Sequence, residues 1–283
     1  MLVVPTVAEV RKECARLRAG GKTLGLVPTM GALHEGHMSL VRAAREKCNV
    51  VAVSIFVNPT QFGPKEDFAK YPRSLERDCQ MLEAASADVV FTPSVDEMYP
   101  PGATTVVEVT SLSNRLDGVS RPGHFRGVAT VVAKLFNIFT PDYAFFGQKD
   151  AAQVAVLRKM ARDLLFGVNV EACPTVREPD GLALSSRNQY LSAEQRLHAL
   201  VLSRALRKVE QKVGEGETVS ANLIAAARRL FAEEPEVELD YCSIVDPATL
   251  EDLRDVTQGA LVAVGARVGA TRLIDNILIA QRR

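Results

Sequence analysis

Eight consecutive residues, Val50-Val51-Ala52-Val53-Ser54-Ile55-Phe56-Val57, leave this chain few folds to choose from. A run that is apolar and β-branched at almost every position has no wet face, so it predicts a strand buried on both sides. Such strands belong to parallel sheets covered by helices. Further strands are expected at 24–27, 88–92, 104–109, 143–146 and 168–172. Helical periodicity fills the gaps between them. It runs through Val7, Val10, Cys14 and Leu17 up to Gly20-Gly21, and through Leu40, Val41, Ala44 and Cys48. It resumes at Leu75, Cys79 and Leu82, at Val128 to Phe139, and across 151–162. Strands alternating with helices predict a doubly wound α/β domain, whose ligands sit beyond the carboxyl ends of the strands.

After about Thr175 the texture changes. Two helical stretches, 193–212 and 218–232, precede strands expected at 238–245, 260–268 and 271–280, with Gly269 placed to turn the last two into a hairpin. Two units follow from this: an α/β domain over 1–175 and a smaller α+β domain over 176–283.

Charge and composition remove several classes of function. Lys+Arg and Asp+Glu both number 34, so the chain lacks the basic excess that duplex binding draws on. Aromatic content is 6% with no tryptophan, a poor platform for stacking bases. No nucleic-acid partner is expected. No run approaches a membrane span, and residues 1–9 lack the basic and apolar regions of a signal peptide. Five scattered cysteines suit reduced thiols, so a cytoplasmic protein is expected.

The chemistry concentrates at strand ends. The stretch 30–37, Met-Gly-Ala-Leu-His-Glu-Gly-His, joins the apolar run Leu24 to Val27 to a helix. Backbone N–H groups at a helix start lack partners within the helix and make an anion site. Gly31 and Gly36 let the backbone approach a ligand, and His34 and His37 can place charge or hydrogen bonds on a phosphate. Zinc is not indicated, because only Glu35 and Gly36 separate the histidines and no C-x-x-C pair exists. The dinucleotide and Walker glycine patterns are both missing.

A second turn, 146–150 (Phe-Gly-Gln-Lys-Asp), repeats the same order of strand, glycine and helix, with Lys149 beside a helix start and Gln153 one turn further on. Alone, Lys149 reads equally as a surface lysine. Leu184-Ser185-Ser186-Arg187-Asn188 packs hydroxyls and a guanidinium into one segment, either a phosphate grip or a polar loop. Asn58 and Gln61 are neutral amides at a strand's carboxyl end. Arg121 is left open as an anion-facing group, while His124 and Arg126 read as residues of a solvated loop.

Taken together, the segments 28–37, 57–62, 146–150 and 185–188 resemble the pantothenate synthetase (pantoate–β-alanine ligase) family, in the same order along nearly the whole chain. The His-x-Gly-His element alone marks only the wider superfamily of nucleotidylyltransferases and class I aminoacyl-tRNA synthetases. The resemblance implies a Rossmann-like first domain, a C-terminal lid and a homodimer. It implies ATP-dependent ligation of (R)-pantoate to β-alanine through a pantoyl adenylate, with Mg2+ accompanying the triphosphate. It assigns ATP to Met30, Gly31, Ala32, Leu33, His34, Glu35, Gly36 and His37, and to Gly147, Gln148, Lys149, Asp150, Val176, Leu184, Ser185, Ser186 and Arg187. Among these His34, His37, Lys149 and Arg187 would act on the phosphates, and Gln61, Gln153 and Asn58 would meet the small substrates. Magnesium ligands are not indicated. A nucleotidylyltransferase and a non-catalytic nucleotide sensor are the competing readings.

Overall fold

A computed structural model describes residues 1–64, 66 and 68–281. Six parallel strands form the larger sheet: β1 (Leu2–Val4), β2 (Leu24–Thr29), β3 (Val50–Ile55), β4 (Val89–Phe91), β5 (Tyr143–Gly147) and β6 (Asn169–Cys173). Their order across the sheet is β1-β4-β3-β2-β5-β6. Strand β2 pairs with β3 on one side (Val27 opposite Val53) and β5 on the other (Gly25 opposite Tyr143). The order of connection across the sheet reverses there, which opens a crevice at the carboxyl ends of β2 and β5.

Alternate residues of β3 feed opposite cores, as a strand without a wet face must. Val50 and Ala52 pack with Phe91 and Phe136 on one side. Val51 and Val53 pack with Val41, Leu82 and Phe145 on the other. Helices α1 (Val7–Leu17), α4 (His124–Phe139) and α5 (Ala151–Asp163) cover the first face, and α2 (Glu35–Lys47) and α3 (Leu75–Ala84) the second. Helix α4 is apolar nearly all round because it lies between the sheet and its neighbours.

Beyond β6 comes the second unit, with helices α6 (Val201–Gly214) and α7 (Ser220–Ala232) on an antiparallel sheet of β7 (Val237–Val245), β8 (Ala260–Val268) and β9 (Thr271–Ile279). It has its own core around Leu202, Leu206, Val209, Val262 and Val264. Its sheet also leans on the first unit: Val245, Leu261 and Ala263 join the core that contains Phe136. The Arg272 guanidinium donates to Asp117 of the first unit at 2.8 Å, and within the second unit Arg177 binds Asp275 through two bonds of 2.6 and 2.9 Å.

Three expectations need correcting. Residues 104–109 form no strand, because among the described residues none pairs with them; Val107 instead donates its N–H to Thr130 Oγ1 of α4 at 2.9 Å. Strand β1 falls outside the expected set, being three residues long and too short to show a period. The helix expected over 193–212 breaks at Leu200, where the N–H closes a tight turn onto Leu197 and separates Ala193–Ala199 from α6. Among the described residues, no helix is long and apolar enough to cross a membrane.

Candidate active site

A cavity of about 220 Å³ occupies the crevice where the two units meet. His34, Gly36 and His37 line it from the β2–α2 turn, Gln61 from the loop after β3, and Gly147, Lys149, Asp150 and Gln153 from the β5–α5 turn. Val176, Leu184, Ser185, Ser186 and Arg187 close it from the start of the second unit. Motifs separated by more than a hundred residues thus share one wall-to-wall space. A smaller space of about 60 Å³ adjoins it and shares Arg121, Lys149 and Arg187.

The histidine turn is held from within and from behind. His34 caps α2, its Nδ1 accepting the Gly36 N–H at 3.2 Å, while His37 Nδ1 accepts the His34 N–H at 3.4 Å. With both Nδ1 atoms acting as acceptors, each neutral ring carries its proton on Nε2. A Cβ at Gly36 would come within 2.9 Å of the His34 ring, so glycine is needed here to seat that ring, not only to admit a ligand. Behind the turn the buried Asp78 carboxylate, on α3, accepts the Ala32 and Leu33 N–H groups at 2.8 Å each. These bonds stabilise the left-handed Gly31-Ala32 corner (φ 81° and 51°).

Both rings are electrostatically neutral at pH 7. Burial, reinforced by the neighbouring His34, pushes His37 down to about 3. Burial and then the Lys149 ammonium push His34 down to about 4. These imidazoles therefore offer donated hydrogen bonds, and positive charge comes from Lys149, Arg187 and Arg121.

The neutral amides divide. Gln61 faces the cavity, with Nε2 donating to Met30 Sδ at 2.9 Å and Oε1 accepting from Asn58 Nδ2 at 3.1 Å. Asn58 lies below the lining, 1% exposed. Its Nδ2 also donates to the Gly127 carbonyl, and its Oδ1 accepts from Thr60 and Tyr99. It holds Gln61 and does not face the cavity.

Other residues of the expected set also lie off the wall. Leu33 is in the core, Glu35 pairs with Arg42 at the surface, and Gln148 bonds Asn276 across the two units. Gly31 borders a separate outward groove beside Asp78.

His124 reads in the sequence as a solvated loop residue, and the structure differs. Gly123 turns the chain into α4, which carries the ring onto Gln61. The guanidinium of Arg121 can only donate, so His124 Nε2 accepts from it at 2.9 Å and Nδ1–H donates to the Gln61 carbonyl at 2.8 Å. Burial and Arg121 together push its pKa down to about 4. Glu66 holds Arg121 through bonds of 2.7 and 2.6 Å. Arg126 is exposed, as expected. Asp78, Tyr71 and Asn276 carried no sequence signal: Asp78 and Asn276 are common polar residues on ordinary elements and Tyr71 lies in the loop before α3, so only tertiary packing brings them to the site.

Fold and site define a doubly wound α/β enzyme of the superfamily marked by the His-x-Gly-His turn. Within it, this chain belongs to the pantoate–β-alanine ligase family, whose sequence model matches residues 2–278. It is 60% identical to the pantothenate synthetase of Acidobacterium capsulatum over 98% of this chain and 96% of that protein. The crystal structure of pantothenate synthetase from Thermus thermophilus superposes with a TM-score of 0.93 at 49% identity, covering 98% of this chain and 99% of that one. A pantoate–β-alanine ligase structure from Francisella tularensis, complexed with βγ-ATP and β-alanine, matches with a TM-score of 0.81 at 33% identity over 98% and 97% of the two chains.

Proposed function

We propose that this chain condenses (R)-pantoate with β-alanine to pantothenate, converting ATP to AMP and pyrophosphate through a pantoyl adenylate. The observation that carries the reading is one cavity shared by two Nε2–H imidazoles, Lys149, Arg187, the Ser185-Ser186 hydroxyls and the amides of Gln61 and Gln153. A carboxylate attacking a phosphate brings like charges together, so donors and cations must stand where charge grows. The triphosphate lies along His34, His37, Lys149, Ser185, Ser186 and Arg187, with adenosine against Gly147, Asp150 and Val176. Gln61 and Gln153 hold the hydroxyl and carboxylate oxygens of pantoate without adding charge.

In the first half-reaction a pantoate carboxylate oxygen bonds to the α-phosphorus as the bond to pyrophosphate breaks. His37 donates a hydrogen bond from Nε2 to the phosphate oxygens. A ring whose pKa lies near 3 is a poor carrier of a full proton before ATP arrives. In the second half-reaction the amine of β-alanine bonds to the acyl carbon, AMP leaves, and solvent takes the amine proton. Imidazoles with pKa values of about 3 and 4 are too weak as bases to deprotonate an ammonium of pKa about 10.

Mg2+ enters with the triphosphate. Among the described residues no cluster of three His, Cys, Asp or Glu side chains is arranged to hold a metal, which suits an ion bound mainly by phosphate oxygens and water. When bound, the ion neutralises phosphate charge. Asp150, the acidic side chain on the cavity wall, is already paired with Lys149 at 3.5 Å and would stay with the adenosine side of the site.

We place the domain boundary near residue 176 and assign the second unit the role of a lid that keeps water from the adenylate. Five cysteines without disulfides suit a reducing cytoplasm. A homodimer is supported by the β-branched segment 104–109, which has strand composition, pairs with no strand among the described residues and leaves Val106 60% exposed. The activity test is ATP–pyrophosphate exchange: it should require pantoate, and AMP should accumulate once β-alanine is added. Exchange without pantoate, or no AMP with all three substrates and Mg2+ present, refutes the assignment.

A further inference from the structure

Asn276 lies on β9, far from the phosphate turns in sequence and 5% exposed. Its side-chain amide makes three hydrogen bonds across the boundary between the two units. Nδ2 donates to the Gln148 carbonyl at 2.9 Å and to the Lys149 carbonyl at 2.8 Å, and Oδ1 accepts from Gln148 Nε2 at 3.1 Å. The opposite orientation would set Oδ1 against two carbonyl oxygens, so the pattern fixes the amide one way round. Asn276 is itself held, because its N–H donates to Asp275 Oδ1 at 2.8 Å and Asp275 forms the two-bond pair with Arg177.

Within the turn that Asn276 grips, the Lys149 ammonium pairs with the neighbouring Asp150 carboxylate at 3.5 Å, a contact that moves with the turn and does not fix it to the rest of the fold. Residues Gln148–Asp150 form a single 3-10 turn, and neither its own cap nor the cap of the helix that follows makes a side-chain hydrogen bond. Two carbonyls in this turn point at the C-terminal sheet. The ammonium of Lys149, on the same turn, is a wall of the cavity.

We propose that Asn276 is a positioning residue: by clamping the Gln148 and Lys149 carbonyls it sets where the Lys149 ammonium stands, so the C-terminal sheet shapes the phosphate site as well as covering it. The inference rests on the reading that Lys149 meets the triphosphate. It differs from a general packing role because its effect must pass through Lys149 and must fall on ATP.

The test is ATP and pantoate affinity by calorimetry in the full-length protein, in wild type, Asn276→Ala, Lys149→Ala and the double variant. Asn276→Ala should weaken ATP about tenfold and pantoate less than about twofold, and should add nothing in the Lys149→Ala background. Equal weakening of both ligands, or an undiminished effect in the double variant, overturns the proposal while leaving the role of Lys149 standing. Unchanged ATP affinity in Lys149→Ala overturns the reading of Lys149 and this inference with it. Should Asn276→Ala fold poorly, Asn276→Asp gives a second measure. Its carboxylate would face two carbonyls, which disfavours the charged form, and the protonated acid regains one donor. ATP affinity relative to wild type should then recover as pH falls from about 8 to about 5.5. A loss independent of pH would count against the clamp.

Discussion

The rings of His34 and His37 lie 4.1 Å apart, centroid to centroid, and each gives its Nδ1 to a backbone N–H of the same turn. The helix start thereby fixes the tautomer of both rings and leaves Nε2–H for a ligand. One imidazole also discourages charge on the other, so the pair acts as two directed neutral donors.

Removing one such donor should slow chemistry far more than binding. His37→Ala is expected to lower the rate of adenylate formation by roughly 10²- to 10³-fold, about 3 to 4 kcal/mol, with a much smaller change in ATP affinity. Pantoate-dependent pyrophosphate exchange measures the first and calorimetry the second. A variant with near-normal exchange removes His37 from the reaction.

The same rings make stability depend on pH. His34, His37 and His124 titrate at about 4, 3 and 4 in the folded chain, and near 6.5 when unfolded. Between these values the unfolded state binds more protons, so stability rises with pH. The contribution is complete above about pH 6.5 and falls as the pH drops towards 4. Urea midpoints at pH 7 and pH 5 should therefore fall further in wild type than in His37→Gln. Parallel losses in the two proteins would show that other groups carry the acid sensitivity.

Gln153 extends from the first turn of α5, beside Lys149 yet carrying no charge. Its amide can match hydroxyl and carboxylate oxygens but adds nothing to the attraction of a triphosphate. Gln153→Ala should raise the KM for pantoate at least about tenfold and that for ATP by no more than about twofold, the pattern of a lost substrate hydrogen bond left uncompensated. The reverse pattern would move Gln153 to the nucleotide.

What was legible in the sequence followed from the range of the forces involved. The Val50–Val57 run announced a doubly buried strand because burial on both faces dictates composition directly. Four local motifs announced the cavity because each turn carries its own donors. Asn58 misled because a polar residue at a strand end looks the same whether it faces a ligand or, as here, supports Gln61 from below. His124 misled for the converse reason: its loop is polar, but α4 carries the ring under cover. Residues 104–109 have strand composition, yet a strand requires a partner, and no local pattern records whether one is present. Asn276 was invisible because its partners are backbone carbonyls 127 and 128 residues away.

Asp78 gives the sharpest separation of scaffold from chemistry. It is 1% exposed, and its two carboxylate oxygens each accept a backbone N–H from the corner that carries the histidines. No ligand is needed to explain it. Asp78→Ala would leave the Ala32 and Leu33 N–H groups without acceptors, at about 1 to 3 kcal/mol for each buried donor, and would open a void beside α3. Two such losses, partly offset by water entering from the adjoining groove, predict a destabilisation of about 2 to 5 kcal/mol in urea unfolding. Activity should fall as well, because the Gly31-Ala32 corner would relax and carry His34 away from the cavity wall. Asp78→Asn separates the two effects: it keeps one acceptor oxygen but turns an amide donor towards a backbone N–H, so it should recover little of the stability. An alanine variant as stable as wild type would mean that the corner is held by its own backbone and that the carboxylate is not its support.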